Sequence, residues 1–233
     1  MNLLNYEERR DIKQTTKFKK TNTIWNDSKL NQTRNVGCIN AIMKTMYKSY
    51  SVDDALKIKR DDWIDFYLNY KTDDPRLSGR TIDELKTIAA RFKKYGESKN
   101  IIMTDDEAFN YVFIRVLDES FDGFMKEIEA YKKVREWFPK FKIEFSETED
   151  TEYAIDLIVY NERGKIFQAI QVKPISFLKK ISNKYSRAYT DFLINNKKHE
   201  EYYKKEGVLP YYLFYDGDNF ETMYADDIYK LIN

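Results

Sequence analysis

The chain has 233 residues, 42% of them hydrophobic and 34% charged, and its 40 basic and 39 acidic residues leave a formal net charge of +1. This composition predicts a globular protein with a substantial core and excludes an intrinsically disordered chain. One histidine, one cysteine and seven glycines exclude an internal disulfide, a zinc finger and a zincin, and the sequence contains no glycine-rich phosphate-binding motif.

The N-terminal residues lack the apolar core of a secretory signal, and no apolar run is long enough to cross a membrane. We therefore expect a cytoplasmic protein without a membrane partner. Residues 1–35 are predicted to form a basic polar arm, which shows no apolar period from residue 10 onward. This arm is either a solvated surface segment or a segment that a partner orders. If the partner is DNA, we expect Lys17, Lys19 and Lys20 to contact phosphates and Arg34 to reach bases.

Residues 36–107 are predicted to be helical. Two capping boxes, Thr81 to Glu84 and Thr104 to Glu107, supply a Thr hydroxyl and a Glu carboxylate to the free N–H groups at a helix start. The first capping box predicts a helix that ends at Gly96. Shorter helices are predicted near residue 51 and over 61–70. Together with the arm, this region is our candidate for DNA binding.

Residues 108–233 alternate between helical and strand patterns. We expect a mixed α/β (α+β) fold whose core runs helix, three-stranded meander, helix, strand. The single histidine, His199, lies in the polar run NNKKHEEYYKK and is expected to be a solvated helix residue. The predicted elements are a helix over 124–138, strands over 140–145, 153–160 and 166–174, a helix over 186–205, strands over 209–215 and 221–224, and a helix over 225–232.

Three polar residues interrupt the most apolar predicted strands. Side chains alternate across a strand, so Asp156 should share one face with Ala154 and Ile158, opposite Ile155, Leu157 and Val159. By the same alternation Gln171 and Lys173 share a face in the next strand. A short hairpin through 161–165 can bring the three polar residues together.

The predicted helix over 124–138 can add a fourth member, because its helical spacing points Glu127 toward the sheet. The set suits cleavage of a phosphodiester bond. Asp156 and Gln171, with Glu127 as a further acid, offer oxygen ligands to Mg²⁺, and the main-chain carbonyl of Val172 can add another. Lys173 can orient or help to deprotonate the attacking water.

At these residues the sequence resembles the PD-(D/E)xK nuclease superfamily, whose core runs helix, three strands, helix, strand. Asp156 matches the aspartate of the second strand, and the Gln-Val-Lys run at 171–173 matches the acid-x-Lys of the third. Glu127 matches the acid that many restriction enzymes carry on the first helix. The resemblance assigns residues 108–233 to a catalytic core.

Two positions depart from the superfamily pattern. Ile155 stands in place of the motif's proline, and Gln171 replaces the acid, which removes one charge from the metal site. The N-terminal run NYEERRDIKQTTKFKKTNTIW, with FDGFMKEIEA and FQAIQVKP, is similar to MjaI-like type II restriction endonucleases. That resemblance implies an Mg²⁺-dependent enzyme, active also with Mn²⁺, that cuts duplex DNA at a short sequence. It further implies a homodimer facing a palindrome, with a cognate DNA methyltransferase encoded nearby.

Two other functions stay open at this level. A structure-selective repair or junction nuclease would use the same site on branched DNA. A binding or assembly module would leave the polar residues as an ordinary surface, and the Tyr-rich composition also fits such an interface.

Overall fold

The computed structural model describes residues 3–25, 36, 38–48, 50, 52–145 and 147–232. The chain divides into two compact units, Met1–Phe124 and Met125–Asn233. The sequence-based division places a boundary at residue 108, whereas the division between the two compact units falls inside a long helix. Arg34 lies outside the described residues.

The first unit is helical, as the capping boxes predict. Thr81 accepts from the N–H of Glu84 and Thr104 from that of Glu107, which fixes two helix starts. A single π-helical turn, Ile114–Asp118, follows the second of these helices. The helices are α1 (Tyr6–Gln14), α2 (Thr16–Trp25), α3 (Ile39–Lys48), α4 (Val52–Ala55), α5 (Arg60–Asn69), α6 (Ile82–Glu97), α7 (Asp105–Phe113) and the start of α8 (Glu119–Trp137).

The expectation of a polar segment without apolar period does not hold for residues 10–25. These residues belong to α1 and α2, and Phe18, Ile24 and Trp25 are buried. The Phe18 ring lies 4.5 Å from that of Tyr111, centroid to centroid. The three apolar residues share one helical stripe among lysines and threonines, which hides the period in the sequence.

A buried ion pair ties α1 to the π-helical turn. Arg9 donates from Nε to Asp118 Oδ2 at 2.7 Å and from Nη2 to Oδ1 at 3.1 Å, and both side chains are almost fully buried. Arg60 adds a contact to the same carboxylate at 3.4 Å and binds Asp122 at 2.7 Å. This network holds the N-terminal helix in place within the first unit.

The second unit contains a five-stranded sheet in the order β1-β2-β3-β4-β5. All pairings are antiparallel except that of β3 with β4, which are parallel. The predicted core order of helix, three strands, helix and strand is confirmed, and the fold is compatible with a restriction-endonuclease-like core. After α8 the elements are β1 (Lys142–Phe145), α9 (Glu147–Tyr153), β2 (Leu157–Tyr160), β3 (Ile166–Pro174), α10 (Ser176–Ile181), α11 (Arg187–Glu206), β4 (Tyr211–Asp216), β5 (Asn219–Met223) and α12 (Ala225–Ile232).

Helices cover both faces of this sheet. One face carries Leu157, Val159, Ile170, Val172 and Leu213, which pack on the Ala130 and Val134 side of α8. The other face packs Ile158 and Ala169 against Tyr202 of α11, and Tyr212 and Phe214 against a cluster that includes α10, α11 and α12. The long helix α11 ends at Gly207, whose φ of 72° closes it in the left-handed region.

The predicted strand over 153–160 is wrong in its first half. Helix α9 runs to Tyr153, and Ala154 follows with a φ of 56°, so β2 begins only at Leu157. This left-handed residue breaks the alternation of side chains. Ile155 therefore packs with Ile158 rather than with Leu157 and Val159.

Candidate active site

Asp156 is anchored by the main chain of the neighbouring strand. Its N–H donates to the Ile170 carbonyl at 2.9 Å, and its Oδ2 accepts from the Val172 N–H at 2.7 Å. The carboxylate occupies the place that a strand carbonyl would take, one residue before β2 begins. These two bonds bracket Gln171, so Asp156 and Gln171 are neighbours, as the hairpin register predicts.

Gln171 and Lys173 lie on one face of β3, where their parallel partners in β4 are Tyr212 and Phe214. Gln171 is 3% exposed, and its Oε1 accepts from Asn195 Nδ2 of α11 at 3.4 Å. Lys173 is half-buried, and it forms no ion pair or hydrogen bond within the part of the chain that the structure describes. Its ammonium group is therefore not committed to a structural partner.

The Val172 carbonyl is directed toward the same place. In a strand the N–H and C=O of one residue leave on the same side. The Val172 N–H bonds to Asp156, so its carbonyl also lies on the Asp156 side of β3. At that point β2 has not begun, so β2 has no ladder N–H that could donate to this carbonyl.

Glu127 lies one turn before Ala130 and Tyr131 on α8. Tyr131 stacks on Phe145 with ring centroids 5.1 Å apart, and Phe145 pairs with Leu157, so α8 runs with its N-terminal part toward the Asp156 end of the sheet. However, this stripe packs on the face opposite Gln171 and Lys173. For Glu127 to contribute to the site, its carboxylate must reach around the start of β2 to the face of Gln171 and Lys173. That role stays a prediction.

The expectation that His199 is solvated is wrong. His199 is 2% exposed on α11, with its Nε2 3.3 Å from the Ala154 carbonyl and its ring 5.3 Å from that of Tyr212. The pKa of His199 is lowered to about 4, because burial outweighs the bond to Ala154, which raises it, and the nearby Lys173 charge adds to the lowering. The imidazole is thus neutral at pH 7, and it packs against the backbone turn that leads into Asp156.

Sequence reasoning missed the contribution of α11 to this site. Phe192, Asn196, His199 and Tyr202 recur at helical spacing and are all buried. Asn196 accepts from the Tyr212 hydroxyl at 2.7 Å, and Asn195 reaches Gln171 from the same side. Neighbouring lysines and glutamates mask this stripe, which a count of positions three and four apart would find.

The donor set fits a hard divalent cation. Asp156, Gln171 and Val172 are neighbours that carry a carboxylate oxygen, an amide oxygen and a main-chain carbonyl, and Mg²⁺ prefers oxygen ligands and keeps several waters. Among the described residues, no group of three or more His, Cys, Asp or Glu side chains could hold a metal ion. The site therefore offers few negative charges to a cation.

The predicted DNA contacts in the N-terminal segment have mixed surroundings. Lys17 forms an ion pair with Glu107, Lys19 is exposed, and Lys20 has a partner within the protein. Their contact with DNA stays a prediction.

In the described part of the chain no helix is both long and apolar enough for a membrane span.

Comparison with known proteins gives one match. The family model described as MjaI restriction endonuclease matches residues 21–214, which cover most of the chain and include Glu127, Asp156, Gln171, Lys173 and His199. No curated protein and no solved structure matches the chain significantly.

Proposed function

Because the chain belongs to the MjaI restriction endonuclease family, we propose that it makes Mg²⁺-dependent double-strand cuts in DNA at a short specific sequence. The observation that carries this proposal is the anchored Asp156 beside Gln171 and the uncommitted Lys173. We propose further that the enzyme acts as a homodimer on a palindromic site in the cytoplasm, with a cognate methyltransferase.

In this proposal Asp156 Oδ1 or Oδ2, Gln171 Oε1 and the Val172 carbonyl hold the cation, and Mn²⁺ can replace Mg²⁺. When bound, Mg²⁺ supplies the positive charge that polarises the scissile phosphate and lowers the pKa of water. Lys173 orients the attacking water and offsets the negative charge that develops on the phosphate. Glu127 is proposed to support the site from α8.

The chain's own residues also fix the geometry. The Val172 N–H donates to Asp156 Oδ2 and so holds the carboxylate in one orientation relative to β3. Asn195 orients the Gln171 amide by donating to its Oε1. An amide has an acceptor oxygen at one end and a donor NH₂ group at the other, so this bond determines the position of the oxygen. Buried His199 and Tyr212 pack against each other on the same face.

The test is incubation of the purified chain with plasmid and phage DNA, with Mg²⁺ and with EDTA. Discrete fragments that require Mg²⁺ support the proposal. A metal-dependent smear, or cleavage of branched DNA alone, would replace it with a structure-selective nuclease. Absence of any cleavage would favour a binding module.

Matched variants separate chemistry from folding. Asp156→Asn keeps an oxygen acceptor for the Val172 N–H while it removes the charge, so we expect a folded protein that binds DNA without cutting it. Lys173→Ala should lower the cleavage rate by about 10²–10⁴-fold. Lys165→Ala is its control, because Lys165 is an exposed residue of the same hairpin. Calorimetric titration with Mg²⁺ should show weaker binding in Asp156→Asn and an unchanged constant in Lys165→Ala.

A further inference from the structure

The segment that directly follows the proposed catalytic strand is basic and contains no acid. Between residues 175 and 190 the sequence has four basic residues and neither aspartate nor glutamate. We name Lys179, Lys180, Lys184, Tyr185 and Arg187 the post-strand patch. The chain as a whole carries a net charge of only +1. A DNA-binding surface must therefore come from local segregation of charge.

The lysines of the post-strand patch lack an acidic partner in the described part of the chain. Lys179, Lys180 and Lys184 are exposed, and none forms an ion pair among the described residues. By contrast, many other basic side chains pair with an acid on the same or a neighbouring helix, as Lys86, Lys133 and Lys230 do. A lysine without an acidic partner can bind a phosphate directly, whereas a paired lysine must first break its ion pair.

The fold places the post-strand patch next to the site. The Ile175 N–H donates to the Tyr215 carbonyl at 2.8 Å, so α10 begins where β3 ends. Phe177 and Leu178 of α10 pack in the cluster of Tyr212 and Phe214, the two residues that pair with Gln171 and Lys173. The apolar side of α10 is thus fixed on the sheet face that carries Lys173, and its lysines are on the outer side.

Local hydrogen bonds order the loop that carries the rest of the patch. The Ser182 hydroxyl donates to the Lys179 carbonyl and the Ser186 hydroxyl to the Lys180 carbonyl, both at 2.8 Å. The Tyr185 N–H donates to Asn183 Oδ1 at 3.0 Å. The backbone is held, yet the Tyr185 side chain is 99% exposed. A large aromatic ring held in solvent between basic residues suits contact with a nucleic acid, where rings stack or pack against the sugar and base edges.

We propose that the post-strand patch binds the phosphates of duplex DNA beside the scissile bond, and that Tyr185 packs against the same DNA. The inference rests on the proposed function, which it deepens by naming the surface that holds the substrate. Arg187 contributes less charge than the lysines, because it lies 3.7 Å from Asp191.

The test measures DNA binding by the full chain in EDTA, with a short fluorescently labelled duplex and increasing salt. The patch variant is Lys179→Ala/Lys180→Ala/Lys184→Ala. The control variant is Lys86→Ala/Lys133→Ala/Lys230→Ala, which changes the net charge equally but removes paired lysines. We expect the patch variant to bind about tenfold or more weakly at ~0.1 M salt, with a salt slope reduced by about 2 to 3, since each phosphate contact contributes about 0.9. The control should keep the wild-type slope.

Tyr185→Ala provides a second, independent readout. The ring carries no charge, so this variant should bind more weakly while its salt slope stays that of the wild type. Melting temperatures of all variants establish that they are folded.

The outcomes separate the two proposals. If the wild type cuts DNA at discrete sites and the patch variant binds with unchanged affinity and slope, the patch is a solvated surface and the nuclease function stands. Equal weakening in the patch and control variants would also refute the patch, since only overall charge would matter. If the wild type neither binds nor cuts DNA, both proposals fail.

Discussion

The buried histidine gives the sharpest prediction, since the chain has only one. Burial lowers the pKa of His199 to about 4, against an ordinary value of about 6.5 in an unfolded chain. Between these values the unfolded chain binds a proton that the folded chain does not. The contribution of the neutral His199 to the free energy of unfolding is therefore fully present above about pH 6.5. It is lost as the pH falls toward 4. The gap corresponds to about 3 kcal/mol, since one pKa unit equals about 1.4 kcal/mol.

The perturbation is His199→Gln, which keeps a donor for the Ala154 carbonyl but does not titrate. Urea unfolding at several pH values should show that the wild type loses up to about 3 kcal/mol more than the variant between pH 6.5 and 4. Carboxylates that titrate in this range are common to both proteins, so the difference between the two curves isolates the histidine. The imidazole Cε1–H resonance measures the pKa directly and needs no assignment in protein prepared without a histidine tag. A titration midpoint near 6.5, or parallel stability curves, would refute the buried neutral imidazole.

Two further predictions concern charge at buried positions. Asp118→Asn should destabilise the first unit by about 3–5 kcal/mol in thermal or urea unfolding, because it leaves the buried Arg9 cation without a carboxylate. The Asp122 carboxylate is partly exposed, so Asp122→Asn should lower the free energy of unfolding by less than about 1 kcal/mol. Equal losses in the two variants would show that the buried pair is no more important than the exposed one. Gln171→Glu should bind Mg²⁺ more tightly in calorimetric titration, and an unchanged binding constant would remove residue 171 from the metal ligands.

The sequence predicts the elements where one local signal dominates. The two threonine capping boxes mark helix starts that the structure confirms, because each acts through bonds within a few residues. The part of β3 that pairs with β4 keeps an unbroken register over 170–174, so the placement of Gln171 and Lys173 on one face was predictable.

The errors occur where long-range packing decides. Ala154 adopts a left-handed backbone without the glycine or asparagine that would signal it, and this shifts Ile155 to the other face. His199 is surrounded in sequence by lysines and glutamates, yet tertiary packing buries its side of α11. In the N-terminal segment, the polar composition hides the three apolar residues that pack α2 into the first unit. The role of Glu127 is not among these errors and stays a prediction, because its position relative to Asp156 depends on how α8 lies over the sheet end, which no periodicity specifies.

The glutamine at position 171 has a physical reason in this fold. Gln171 in β3 and Asp156, which directly precedes β2, are neighbours and are 3% and 7% exposed. A second carboxylate here would face the first in a region of low dielectric, where two like charges raise each other's pKa and oppose folding unless a cation is bound. Glutamine keeps an oxygen donor of nearly the same shape and carries no charge. The sheet end can therefore form without metal, and the proposed Mg²⁺ site has one negative charge fewer to bind the cation. Gln171→Glu should therefore have a lower melting temperature than the wild type in EDTA and a larger increase on addition of Mg²⁺. A melting temperature that equals that of the wild type under both conditions would refute this explanation.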